Sequence, residues 1–141
     1  MDLGLKGKTA LVLASSRGLG QAMAVALARE GVKVAVTGRN TEGLQQTVQM
    51  VEAVGGKALA LNWDLANLDS VDNHIQQVES RLGPIDILIN NTGGPPPTSA
   101  TGQDPQLWQK SFNEMVLSLM AITDRVLPGM RERKWGRVIT S

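Results

Sequence analysis

Residues 13–20 read LASSRGLG, the first stretch of the chain in which chemistry is legible. Gly18 and Gly20 follow a short apolar run, and a helical pattern begins at once. At such a junction, unpaired backbone N–H groups and the positive end of the helix dipole converge on one point, which suits a phosphate. Glycine lets an anion come close to the main chain. Ser15 and Ser16 are placed to donate hydroxyl hydrogen bonds, and Arg17 to pair with a phosphate. The competing reading is a plain turn between strand and helix. The stricter pattern G-x-G-x-x-G is absent, because its third glycine falls on Met23.

A second chemical signal is Thr37-Gly38-Arg39, at the end of the next apolar run. Sites for NAD place a carboxylate there to accept from the ribose hydroxyls. Arg39 would instead pair with a 2′-phosphate, so the residue type favours NADP. A solvated cation at a helix start is the alternative.

The bulk composition excludes several other chemistries. The 141 residues include no cysteine and one histidine, which removes disulfides, thiol nucleophiles and Cys- or His-rich metal sites. Lys plus Arg is 14 and Asp plus Glu is 13, so the net charge of +1 offers no electrostatic footprint for nucleic acid or an anionic membrane. No apolar run approaches the ~20 residues of a membrane span. The N-terminal MDLGLKGK lacks the apolar core of a signal peptide, and the expected location is the cytoplasm.

The elements that must position these residues alternate from end to end. Thr9–Ala14 reads as a strand buried on both faces. Leu19, Met23, Ala26 and Leu27 recur at helical spacing and Gly31 stops that helix. Residues 32–37 form a second strand. Asn40 caps a helix with the stripe Leu44, Val48, Val51, which Gly55-Gly56 ends. Residues 57–62 form a third strand, and Val71, Ile75, Val78 and Leu82 mark one helix face up to Gly83-Pro84. Residues 85–90 form a fourth strand. The aperiodic stretch 91–104 reads as a functional loop. Asp104-Pro105 opens a fourth helix carrying Phe112, Met115, Leu119, Ile122 and Val126, which Pro128-Gly129 should kink or end. Residues 137–141 form a fifth strand. Strands joined by helices imply a single α/β domain over 1–141: a doubly wound parallel sheet of order 3-2-1-4-5, truncated after the fifth strand, with its ligand at the switch point between strands 1 and 4.

With the motifs in one register, the chain resembles the short-chain dehydrogenase/reductase family from Lys8 to Ser141, and within it the bacterial 3-oxoacyl-acyl-carrier-protein reductases. LASSRGLG matches the family's T-G-x-x-x-G-x-G, with Leu13 for the threonine and Ala14 for the first glycine. Ala14 is expected to need no left-handed backbone and to narrow the loop modestly. Asn90-Asn91-Thr92-Gly93 is similar to the family's N-N-A-G. The resemblance implies a Rossmann fold binding NADP (NADPH) through Ser15, Ser16, Arg17, Gly18, Leu19, Gly20, Arg39, Asp64, Leu65, Asn91, Thr92 and Gly93. Asp64 would accept from the adenine amino group. Asn90 would brace the sheet, while Asn91 to Gly93 would face the cofactor. Trp63 is expected to pack and His74 to lie on the surface, away from the switch point.

The resemblance also implies reduction of a small-molecule carbonyl, such as a 3-oxoacyl thioester, by hydride from the nicotinamide, with a tyrosine donating the proton. The chain has no tyrosine. The family's serine falls beyond Ser141. Its relay asparagine falls on Met115, and Asn113 is two residues out of register. No catalytic residue is therefore assigned, and the chain reads as the N-terminal, cofactor-binding half of a longer reductase. The alternatives are a non-catalytic dinucleotide-binding sensor or pseudoenzyme, and a partner-binding domain. The resemblance further implies a homo-oligomer formed through the helix at 105–127.

Overall fold

The computed structural model describes all 141 residues. Five strands form one sheet of order β3-β2-β1-β4-β5. They are β1 (Thr9–Val12), β2 (Lys33–Gly38), β3 (Lys57–Asn62), β4 (Ile87–Asn90) and β5 (Arg137–Thr140). Every neighbouring pair is parallel. Helices α1 (Gly18–Arg29), α2 (Thr41–Ala53), α3 (Val71–Leu82), α4 (Pro105–Phe112) and α5 (Ser118–Glu132) make the crossovers. The expected architecture and strand order are both observed. No helix is long and apolar enough to cross a membrane.

Side-chain alternation along the strands sorts the core into two halves. Leu11, Ala35 and Leu88 face α3 and α5 and join Ile75, Val78 and Ile122. Ala10, Val12, Val34, Val36, Ile87 and Ile89 face α1 and α2 and join Ala24, Ala28 and Val51. Strands buried on both sides show up in the sequence as unbroken apolar runs. The expected stripe of α3 is observed, with Val71, Ile75, Val78 and Leu82 all buried.

The first helix differs from expectation. It buries Gly20, Ala24, Val25 and Ala28, and leaves Leu19 at 61% exposed. Small side chains let α1 approach the sheet closely, so the packed face is centred one residue away from the expected stripe, whose Met23 and Leu27 pack against the core only in part. The fourth helix is also not continuous. A π-helical segment, Asn113–Leu117, separates α4 from α5. Phe112, one of the apolar residues of this helix, is 50% exposed. Pro128 does not end α5, which runs on to Glu132. Ile122, Val126 and Met130 are all buried at four-residue spacing. Burial of Met130, which packs against Gly136 at the start of β5, offsets the hydrogen bond that Pro128 cannot make.

Two bridges fix α5 and the β5 connection. Arg125 pairs with Asp72 at 2.7 Å and Glu79 at 3.2 Å on α3. Arg133 donates to the Ile85 carbonyl at 2.8 Å. Side-chain burial along α5 makes a direct prediction. Ile122→Ala should lose about 2–5 kcal/mol in urea unfolding, whereas Met120→Ala, on the exposed face, should stay within about 0.5 kcal/mol.

Candidate functional site

The chain leaves β1 through a turn at Ala14. Its φ is +47°, so the expectation that Ala14 avoids the left-handed region is wrong. An L-residue there costs roughly 1–2 kcal/mol. This turn explains why β1 stops at Val12 rather than at Ala14. It directs residues 15–20 across the C-terminal edge of the sheet and into α1.

Ser15 does not face a ligand, contrary to expectation. It is fully buried, and its hydroxyl donates to the Val12 carbonyl at 2.8 Å and accepts from the Thr37 N–H at 2.9 Å. Its N–H donates to the Thr37 carbonyl at 2.8 Å. Its carbonyl accepts from the Thr47 hydroxyl at 2.8 Å. Every polar group of Ser15 is thus used to bind the loop to β2 and α2. The Gln21 amide donates to the same Thr47 hydroxyl at 2.9 Å, which ties α1 to α2.

The next residues are the reverse case. The N–H groups of Ser16, Arg17, Gly18, Leu19 and Gly20 have no acceptor within the chain, and the first helical bond is Gln21 N–H to the Arg17 carbonyl at 3.3 Å. Arg17, at the N-cap, supplies no side-chain cap. By contrast, Asn40 and Asp104 cap α2 and α4 through their side chains. These unpaired donors border a cleft of about 630 Å³ at the C-terminal edge of the sheet.

The two glycines do different work. Gly18 has φ +57° and open space where a Cβ would stand, so its backbone conformation is what requires glycine. Gly20 has an ordinary φ, but a Cβ there would overlap the Ala14 carbonyl oxygen and come within 2.9 Å of Asn91 Nδ2. The expected reason for Gly20, access for a phosphate, gives way to close packing of α1 on the turn.

The cleft collects most of the residues singled out from the sequence. Ser16, Arg17, Gly18, Leu19, Gly20, Arg39, Asp64, Leu65, Asn91, Thr92 and Gly93 all line it, and Ser15 does not. Arg17 and Arg39 are exposed and take part in none of the ion pairs. Asp64 accepts from the Ala66 N–H at 3.0 Å with Oδ1, so it shapes its own turn as well as lining the cleft.

Asn91 lines the cleft as expected, but its side chain also takes the cross-sheet role expected of Asn90. Asn91 reaches across the sheet: Nδ2 donates to the Leu13 carbonyl at 3.3 Å and the Ala14 carbonyl at 3.2 Å, and Oδ1 accepts from the Ser141 hydroxyl at 2.8 Å. Asn90 donates to the Thr123 hydroxyl on α5 at 3.0 Å. The alternation of a strand sends neighbouring side chains to opposite faces, which turns Asn90 toward α5 and leaves the bracing of β1 to Asn91.

The cleft also contains residues that the motifs did not indicate. Glu42, Gly43 and Gln46 enter from the first turns of α2, and Glu114 and Met115 from the π-helical segment. Their signal is positional: the first turn of a helix following a strand lies at the same sheet edge as the glycine loop. Trp63 is packed at 2% exposed, as expected, and is part of the cleft wall. His74 does not line the cleft, but it is not a free surface residue. It is partly buried and stacks on Trp63, with ring centroids 4.5 Å apart. Burial lowers its pKa below the ordinary value.

A parallel doubly wound sheet with unpaired loop amides at its switch point places the chain in the Rossmann-like class of α/β folds. The family model described as short chain dehydrogenase matches residues 8–141, and the chain belongs to that family. It is 40% identical over 135 residues to the ketoacyl reductase HetN of Nostoc sp., covering 96% of this chain and 47% of that protein. It is 31% identical over 137 residues to the 3-oxoacyl-[acyl-carrier-protein] reductase FabG of Pseudomonas aeruginosa, covering 97% and 56%. The chain therefore spans about half the length of these curated relatives. Among solved structures, it superimposes on L-sorbose reductase from Gluconobacter frateurii, complexed with NADPH and L-sorbose. That match has a TM-score of 0.91 and 30% identity, and covers 99% of this chain and 54% of the other.

Two measurements check this geometry. Gly20→Ala should lower unfolding stability by about 1–3 kcal/mol through the clash with Ala14, while Gly18→Asn should cost less than about 1 kcal/mol, because asparagine tolerates the left-handed region. His74 is the second. Its folded pKa lies below its unfolded value of about 6.5, so its contribution to stability is complete above that pH and is lost as pH falls through the folded pKa. Denaturation midpoints taken from pH 7.5 to 5.5 should therefore fall less in His74→Gln than in the unmodified protein, and equal slopes would contradict the assignment.

Proposed function

We propose that this chain is the dinucleotide-binding half of an NADP-dependent carbonyl reductase of the cytoplasm. The run of unpaired amides from Ser16 to Gly20 carries this reading. Five N–H donors beside the N-terminus of a 12-residue helix form an anion site that no side chain of the protein fills. A pyrophosphate matches it in charge and acceptor number.

The flanking residues fit the rest of a dinucleotide. Arg17 and Arg39 are unpaired cations at the edge of the cleft, suited to a 2′-phosphate. Strand β2 ends in Thr37-Gly38-Arg39, without the carboxylate that would accept from ribose hydroxyls. Glu42, in the first turn of α2, is the nearest acid along the chain and also lines the cleft. Asp64 and Leu65 face the same space, where Asp64 would accept from an adenine amino group. Thr92 and Gly93 border the cleft as well, and nothing lies within 4 Å of a Cβ placed at Gly93. When bound, the nicotinamide supplies a hydride to the substrate carbonyl. The substrate class fits a 3-oxoacyl thioester, since the relatives above are named as a ketoacyl reductase and a 3-oxoacyl-[acyl-carrier-protein] reductase. The 141 residues alone are expected to bind the dinucleotide without turning over a carbonyl compound.

One observation favours a second reading, a dinucleotide-binding protein that is not a catalyst. Met115 lines the cleft at the position where the family places a polar relay residue, and a thioether cannot donate to a water chain. Both readings allow the protein to self-associate through the α4–α5 face, where Trp108, Phe112, Val116 and Met120 are exposed at four-residue spacing.

Trp63 in the cleft wall provides the readout for a titration. Replacing Arg39 with Asp should weaken NADPH binding roughly tenfold or more, as expected for a charge-assisted hydrogen bond of about 1.5–3 kcal/mol, and should leave NADH binding equal or tighter. An unchanged ratio of the two affinities would remove Arg39 from the site. Absence of any NADPH binding by the unmodified chain would refute the dinucleotide reading.

A further inference from the structure

Two residues other than glycine have a left-handed backbone, Ala14 at φ +47° and Lys134 at φ +57°. Lys134 follows the C-terminus of α5, where this conformation is common. Ala14 has no such local reason, because it leaves a strand whose residues are buried on both faces. A conformation that alanine disfavours persists only where its surroundings over-determine it.

The surroundings of Ala14 are specific. Its N–H donates to the Thr37 hydroxyl at 3.2 Å. Its carbonyl accepts from Asn91 Nδ2 at 3.2 Å. One side chain therefore holds each peptide group beside the strained residue. Thr37 is 1% exposed and Asn91 9% exposed, so neither side chain is free to turn to solvent. Both are secured in turn. The Thr37 hydroxyl donates to the Val12 carbonyl at 3.4 Å, and Asn91 is held by the Leu13 carbonyl and the Ser141 hydroxyl. Thr37 belongs to β2 and Asn91 follows β4, the two neighbours of β1 in the sheet. The Ala14 carbonyl is also the atom against which Gly20 packs, so any shift of the turn is passed to the first turn of α1.

We propose that Thr37 and Asn91 are positioning residues that clamp Ala14 in its left-handed turn, and that this clamp sets where the Ser16–Gly20 amides stand. The chain thereby builds with two side chains a loop that glycine at position 14 would adopt unaided. The effect on cofactor binding rests on the dinucleotide reading above, whereas the clamp itself does not.

The test is a double-mutant cycle in the full chain, read by NADPH titration and by thermal unfolding without cofactor. Asn91→Ala should loosen NADPH binding at least about tenfold in the unmodified chain, because alanine then relaxes out of the turn. In the Ala14→Gly background the same substitution should loosen it by about threefold or less, since glycine keeps the turn without the amide. The bonds from Asn91 to Leu13 and Ser141 are lost in both backgrounds and cancel. Ala14→Gly alone should raise the melting temperature by about 2–4 °C, and the drop caused by Asn91→Ala should be smaller in that background. Thr37→Val, which keeps the shape and removes the hydroxyl, should show the same rescue and serves where Asn91→Ala does not fold. Equal penalties in both backgrounds, in binding and in melting, would overturn the clamp. If the unmodified chain binds no NADPH, the dinucleotide reading fails and the melting cycle alone decides the clamp.

Discussion

Strand β1 is buried between β2 and β4, yet its chain must emerge at the sheet edge and enter a helix within a few residues. Backbone amides cannot be left unpaired in an apolar interior, so this short connection has to divide its polar groups sharply. Ser15 satisfies all of its groups inside the protein. The residues from Ser16 to Gly20 satisfy none of their N–H groups. The boundary between the two is set by the left-handed turn at Ala14. The cleft and its row of free donors follow from that division, because a helix end without a cap offers its donors to whatever anion fits.

The rest of the sheet serves this junction. Crossovers of one hand place α1 and α2 on one face and α3 and α5 on the other, so β1 sits at the point where the chain reverses direction. Loops from β2, β3 and β4 then arrive at the same edge as the glycine loop, bringing Arg39, Asp64 and Asn91 to one cleft. Support is less complete on the other side. Strand β5 pairs only with β4, and all four of its residues are exposed. The α4–α5 face is likewise open, with Trp108 at 66% and Met120 at 57% exposed. Parallel sheets are normally covered on both faces, and this side of the sheet is open.

Particular residues show how far the sequence can be read. The strands and most helices are legible because their apolar spacing is local: the α3 stripe needs only residues 71–82 to be seen, whereas the π-helical break between α4 and α5 leaves no such mark. Helix α1 is centred one position away from where bulk points, since size marks Leu19 as core while the sheet fully buries Ala24, Val25 and Ala28 and takes Met23 only in part. The local cost of Pro128 argues for a helix end, and Met130 reverses the outcome through a contact outside the helix. His74 stands beside the apolar stripe in sequence, and only the fold brings Trp63 onto its ring.

By itself the sequence determined the α/β class, the strand order and the set of loops that meet at the switch point, because period and turn chemistry are short-range properties. The tertiary structure decided what each loop residue does. Ser15 and Ser16 are chemically identical and adjacent, yet one is locked to β2 and the other borders the cleft. Asn90 and Asn91 differ only in which face of the sheet they leave. Gly20 is required by a carbonyl six residues earlier that the turn folds back against it. Such roles depend on which atoms come within hydrogen-bond or van der Waals reach once distant segments pack, and no spacing along the chain encodes that distance.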